Sequence, residues 1–158
     1  MNNARTPVPV FSPEPPGLFA PAMQTQRMTE ADAVLAANLE FYRAFNKGDF
    51  AAMDALWARR AQIHCVHPGW PPLSGRESVM WSWRNILTNP EPTLVMCHDD
   101  QAFLYGEYAM VICEEELSGG HLVATNMFVK EAGKWRMVHH QASPLVARRQ
   151  AARPPRRR

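Results

Sequence analysis

The residues best suited to chemistry in this chain of 158 amino acids gather in three short strings. His64-Cys65-Val66-His67-Pro68-Gly69-Trp70 runs from an alternating segment into a proline-stiffened loop. Glu114-Glu115-Glu116 lies in a later apolar segment, and His139-His140 near the end of the last one. Histidine titrates in the range that proton transfer near neutrality needs, and a glutamate in an apolar cavity can be shifted into that range. Together they would permit proton abstraction next to a carbonyl. Each also has a plain structural reading: a buried neutral histidine bonded to backbone, or a strand end running out into solvent. No metal site is expected from these strings. Residues three apart on a strand point to opposite faces, so His64 and His67 cannot share an ion, and the adjacent pair His139 and His140 is separated in the same way. Cys65 has no evident Cys-His-Asp arrangement around it and reads as packing. Trp57, Trp70, Trp81 and Trp83 could line a pocket for a flat apolar molecule. Trp83 falls on a helical apolar face and reads as core, which leaves Trp70 and Trp81 as the better candidates for contact with a ligand.

The elements that must position these residues follow from periodicity. Thr29 and Asp32 resemble a capping box, and Val34, Asn38, Phe41 and Phe45 recur at helical spacing until Gly48 ends the helix. Asp49 can cap a shorter helix bearing Phe50, Met53, Leu56 and Trp57 on one face, so a helical hairpin opens the domain. Residues 61 to 67 alternate as a strand, and Pro68 to Pro72 form a rigid loop. Ser74 with Glu77 is expected to cap a third helix whose apolar face is Val79, Met80, Trp83, Ile86 and Leu87, stopped by Pro90 and Pro92. Four β-rich segments follow, residues 93–105, 108–117, 121–131 and 134–143, separated by turns at Gly106-Glu107, Ser118-Gly119-Gly120 and Ala132-Gly133. Turns this short demand an antiparallel meander, which gives the order ααβαββββ and an α+β class. Val111-Ile112-Cys113 and Met127-Phe128-Val129 place apolar residues on both sides of the sheet. Helices can cover one side, and the simplest cover for the other is a second copy of the chain, so a homodimer made across the sheet is expected.

Composition has to be read by segment, because six of the 14 prolines fall in the first 21 positions. Residues 1–28 read as a disordered proline-rich arm, residues 29–147 as one domain, and residues 148–158 as a disordered tail rich in arginine and proline. The two ends hold 8 of the 17 basic residues and one acid, which leaves the body with 9 basic and 14 acidic residues, a net of −5. Specific nucleic-acid recognition by such a body is not expected. Cys65, Cys97 and Cys113 are odd in number and form no Cys-x-x-Cys pair, which argues against a disulfide framework and fits a reduced, cytoplasmic setting. No run of 18 apolar residues is present, so no membrane span is expected. Glu14, Pro15 and Pro16 interrupt what would have to be the apolar core of a signal peptide.

The element order and several local strings resemble the SnoaL-like branch of the nuclear transport factor 2-like superfamily over about residues 30 to 145. The strings are Phe41-Tyr42-Arg43-Ala44-Phe45 with Gly48-Asp49-Phe50, then Leu73-Ser74-Gly75-Arg76-Glu77, and Gly133-Lys134-Trp135-Arg136-Met137-Val138-His139-His140. The resemblance implies a conical fold, with a helical hairpin and a third helix packed in a curved, mostly antiparallel sheet around a pocket. The superfamily holds isomerases, cyclases, dehydratases, transport adaptors and oligomerisation domains, so a fold of this kind does not fix a chemistry. The last strand also resembles the association domain of calcium/calmodulin-dependent protein kinase, whose pocket is lined with arginines. Asn126 and Ala142 stand at two of those arginine positions, so an anion-binding pocket is not carried over.

That second resemblance implies that Asn126 faces the pocket. Alternation then sends Leu122, Ala124 and Phe128 inward with it, and Val138, His140 and Ala142 inward on the last strand. A β-bulge would reverse this and present His139 instead. The expected site therefore has His140 or Glu114 as catalytic base, with Asn126 and His67 as orienting or oxyanion donors and Trp70 and Trp81 as ligand contacts, acting without metal or cofactor on a small organic molecule. The alternative is a noncatalytic ligand-binding or oligomerisation module.

Overall fold

The computed structural model describes residues 28–91 and 93–145. The expectations for the arm before residue 28, for the tail from residue 148 and for Pro92 fall outside them.

Helix α1 (Glu30–Lys47) starts where Thr29 and Asp32 exchange bonds: the Thr29 hydroxyl accepts from the Asp32 amide, and the Asp32 carboxylate accepts from the Thr29 amide. A cap of this kind is worth about 1 kcal/mol. The helix ends at Gly48, whose φ of 64° is left-handed and whose Cα lies so close to Leu87 that a Cβ would stand 3.1 Å from the Leu87 carbonyl oxygen. Helix α2 (Phe50–Leu56) is capped by the Asp49 carboxylate. The buried stripe of α1 comprises Val34, Asn38, Phe41, Tyr42 and Ala44. Two polar side chains are thereby carried into the interior by helical spacing alone.

Strand β1 (His64–Val66) is shorter than alternation suggested, because the amides of Arg59, Arg60 and Ala61 bond to the Glu131 carboxylate and not to a neighbouring strand. After β1, the turn His67-Pro68-Gly69-Trp70 closes with a 3.0 Å bond from the Trp70 amide to the His67 carbonyl. Proline precedes a glycine at φ 78°, the arrangement a type II turn requires. The loop then returns as a two-residue strand, β2 (Leu73–Ser74), antiparallel to β1, which periodicity did not anticipate. Ser74 is consequently not a helix cap: its hydroxyl lies 3.0 Å from His64 Nδ1, and helix α3 (Arg76–Leu87) begins after Gly75 without a side-chain cap. Val79, Met80 and Trp83 of α3 are buried as expected.

The meander consists of β3 (Met96–Tyr105), β4 (Tyr108–Leu117), β5 (Gly120–Glu131) and β6 (Lys134–Pro144), antiparallel throughout. β3 starts at Met96, since both backbone groups of Val95 are occupied by the Asn46 amide side chain. The six strands form one sheet in the order β2-β1-β6-β5-β4-β3, with β1 parallel to β6. The helices cover one face of this sheet, and Phe41, Met53, Trp57, Trp83, Val111, Phe128 and Met137 form the core between the two layers.

One irregularity decides what the last strand presents. Trp135 and Met137 are buried, and strict alternation would then send His139 inward. Instead the ladder passes from Phe128↔Met137 to Met127↔His139, leaving Val138 as an extra residue, so His140 and Ala142 point inward. Val138, the extra residue, is half-buried and packs against the core, and the bulge keeps His140 inward, which corrects the expectation that a bulge would present His139. His139 is the half-buried member of the pair, and His140 is the buried one.

Candidate functional site

A cavity of about 210 Å³ lies between the helices and the inner face of the sheet, with Phe41, Trp83, Ile86, Leu122 and Ala142 among its apolar walls. Its polar lining includes His67, His140, Tyr42 and Glu115, with Thr93 beside them. The parallel pairing of β1 with β6 sets Cys65 beside His140 and so delivers His67 to the same wall, with ring centroids 6.4 Å apart. The type II turn folds Trp70 back over His67, 5.2 Å between ring centroids.

The protonation of both histidines follows from their partners. The Ser82 hydroxyl donates its one hydrogen to the Val79 carbonyl, so at 2.9 Å from His67 Nε2 it accepts from that ring. His67 is the Nε2–H tautomer, and its lone pair is on Nδ1. His140 Nδ1 lies 2.7 Å from Asn126 Oδ1 and donates to it, because the Asn126 amide nitrogen is committed to Asn38 Oδ1 at 2.7 Å and the Tyr42 hydroxyl at 3.2 Å. The lone pair of His140 is therefore on Nε2. Burial pulls His67 down to about 4. Burial, with His67 and His139 nearby, pulls His140 down to about 3, so both rings are neutral at pH 7.

Tyr42 completes the chain by donating to Glu115 Oε1 at 2.8 Å. Glu115 is only 4% exposed and its pKa is raised by burial, with the Tyr42 bond opposing the shift. Four side chains from α1, β4, β5 and β6 thus form one hydrogen-bonded relay, His140–Asn126–Tyr42–Glu115, with an imidazole at one end and a carboxyl at the other.

The glutamate differs from the one expected. Ala109, Val111, Cys113 and Glu115 are the buried, inward residues of β4, so Glu114 stands on the outer face. Trp81, 59% exposed on α3, does not line the cavity, whereas Trp70 and His67 do. Asn126 is buried behind His140; with both amide hydrogens used, it holds the ring and cannot act as an oxyanion donor. His67 is excluded from that role too, since its N–H goes to Ser82. Sequence reasoning passed over Tyr42, Asn38 and Ser82 as site residues. Their signal was a polar side chain recurring within an apolar helical stripe, which burial permits only with partners. Burial also pushes the Cys65 thiol up to about 12, in keeping with a packing role.

Three helices against a six-stranded, mostly antiparallel open sheet are the architecture of the NTF2-like, cystatin-like α+β proteins. Residues 34–147 match the SnoaL-like domain, and the chain belongs to that family. An NTF2-like family protein from Streptomyces avermitilis, assigned as a candidate dehydratase, is 35% identical, with a TM-score of 0.68 over 74% of this chain and 96% of that one. A candidate calcium/calmodulin-dependent protein kinase type II association domain from Thiobacillus denitrificans is 31% identical, with a TM-score of 0.65 over 71% and 94%. The F-box protein SKIP8 of Arabidopsis thaliana is 27% identical over 116 residues, 72% of this chain and 50% of that protein, so the chain spans about half the length of this relative. No helix among the described residues is long and apolar enough to cross a membrane.

Proposed function

We propose that the domain binds a small, uncharged, ring-containing or acyl molecule in the inner cavity and moves a proton on it without a cofactor. The observation that carries this reading is the relay, which brings a neutral imidazole and a buried carboxyl to one apolar cavity. Glu115 takes the role expected of Glu114: a carboxylate whose pKa is raised is a stronger base than an ordinary one, and the Tyr42 hydroxyl steadies its charge after ionisation. His140 Nε2, bearing the lone pair, accepts from a substrate O–H or N–H and orients it. Phe41, Trp83 and Trp70 favour a flat ligand. The family resemblance to a candidate dehydratase supports acid–base chemistry of this general kind.

The test combines ring-proton NMR of His140 with solvent deuterium exchange, using a panel of neutral aromatic ketones and enones. Binding should shift the His140 signals, and exchange of the proton next to the carbonyl should fall about a hundredfold or more in Glu115→Gln, the lower end of what one general base contributes. No shift with any compound would remove the ligand site. Shifts without exchange would remove the catalysis and leave a binding module.

A second reading is favoured by the outer face of the sheet, where Phe103, Tyr108 and Ile112 are exposed, and by the likeness to an association domain. On this reading a second copy of the chain covers that face. Sedimentation should give a dimer that Ile112→Lys dissociates; a monomer at micromolar concentration would end the idea.

A further inference from the structure

The alternation that sends Glu115 inward sends Glu114 and Glu116 outward, and the ladder registers bring them beside histidines of the neighbouring strands. His98 on β3 lies opposite Glu114, and Glu116 lies opposite His121 on β5. His98, Glu116 and His121 each offer one donor atom within 4.8 Å of the other two. From this cross-strand group we infer a site for a divalent transition-metal cation, zinc foremost, on the outer face of the sheet, with these three residues as ligands.

The donor set selects the metal. Two imidazoles and one carboxylate suit zinc and its first-row neighbours, whereas calcium and magnesium require oxygen. Donors around a tetrahedral zinc stand roughly 3.3 Å apart when its bonds are about 2.0 to 2.1 Å long. Small rotations of the half-buried His98 and the exposed Glu116 and His121 therefore close the group, while the three strands hold the backbone fixed. The second observation is the β3 bulge. The ladder breaks between His98 and Gln101, and Asp99 has a φ of 53°, a left-handed conformation uncommon outside glycine. This kink sets Asp99 Oδ2 3.2 Å from His98 Nδ1. A carboxylate on one ring nitrogen keeps the proton there and leaves Nε2 as the donor, the arrangement by which metal-binding histidines are oriented. Three protein ligands leave a fourth position for water or an incoming group. The site lies outside the cavity and does not depend on what the cavity binds.

Isothermal titration of tag-free, EDTA-stripped protein with zinc chloride tests the site. One saturating equivalent is expected. His98→Ala, Glu116→Gln and His121→Ala should each weaken binding about tenfold or more, and Asp99→Asn by about tenfold through loss of orientation. His64→Ala, an exposed histidine on β1 toward the opposite edge of the sheet, should leave affinity within about twofold, the response of a residue that is not a ligand. Absence of saturable binding overturns the proposal, as does binding that survives the His98→Ala/His121→Ala double variant. Cobalt in place of zinc gives a reading on wild-type protein alone: intense visible absorption marks a four-coordinate site with protein ligands, and a spectrum like that of aqueous cobalt overturns it.

Discussion

The inner and outer faces of β4 are made from alternate residues of one strand, yet they treat charge in opposite ways. Glu115 on the inner side has lost its water and accepts a hydrogen bond from the neutral Tyr42, and burial raises its pKa against that bond. Glu116, one residue on, is exposed beside His121. Water explains the difference: a single step along a pleated strand exchanges solvent for an apolar wall, and the cost of holding a charge changes with it. Inside, the imidazoles of His67 and His140 are neutral, and His140 and Glu115 are joined through Asn126 and Tyr42 by hydrogen bonds. Outside, Glu116 and His121 stand exposed to water and face each other across the ladder.

The largest blow to this contrast should come from opening the inner layer. Trp83→Ala removes the wall shared by the cavity and the core and should cost about 3 to 5 kcal/mol in urea unfolding. A loss under 1 kcal/mol would mean that the two layers are not packed around it. Next is Asn126→Leu, which strands the His140, Tyr42 and Asn38 groups together and should cost about 3 kcal/mol. A neutral result would show that the relay is not a stabilising network.

Titration sharpens the contrast further. Glu115 has a raised folded pKa, so the stability tied to it is present in full below the unfolded value and is lost as pH rises through the folded one. Glu115→Gln should therefore flatten the fall in melting temperature that begins as pH rises above the ordinary carboxylate value of 4.5. His67 and His140 have depressed folded values, about 4 and about 3, so their contribution is complete above the ordinary 6.5 and is lost as pH falls toward those values. His140→Gln should flatten the acid side, and a profile with unchanged acid slope would contradict a buried neutral ring. The smallest effect belongs to Trp81, which touches neither the cavity nor the core. Trp81→Ala should stay within about 0.5 kcal/mol of wild type, and a larger loss would place a contact where none is drawn.

Helices and meander were legible because Val34 to Phe45 and Val79 to Leu87 keep one period over several turns and because the strand turns are short. The paired inward histidine was legible only by likeness to a family. Glu115 was missed because Glu114, Glu115 and Glu116 are chemically identical, and only the phase set by Ala109, Val111 and Cys113 separates them. Strand boundaries near Ala61 and Thr93 slipped because side chains distant in sequence, Glu131 and Asn46, capture backbone groups that a strand neighbour would otherwise take. The outer cluster escaped for a related reason: its histidines lie 23 positions apart, and only the ladder makes them neighbours.

The extra residue at Val138 also has a meaning for inheritance. Inserting or losing one residue in a strand normally turns every later side chain over, and a buried functional group is lost at a stroke. Here the two candidates for the inward place are consecutive histidines. With the extra residue, His140 meets the interior; under uninterrupted alternation from Met137, His139 would. Either register thus offers an imidazole to the same wall, and the doublet makes this position tolerant of a one-residue slip that would elsewhere exchange a polar for an apolar side chain.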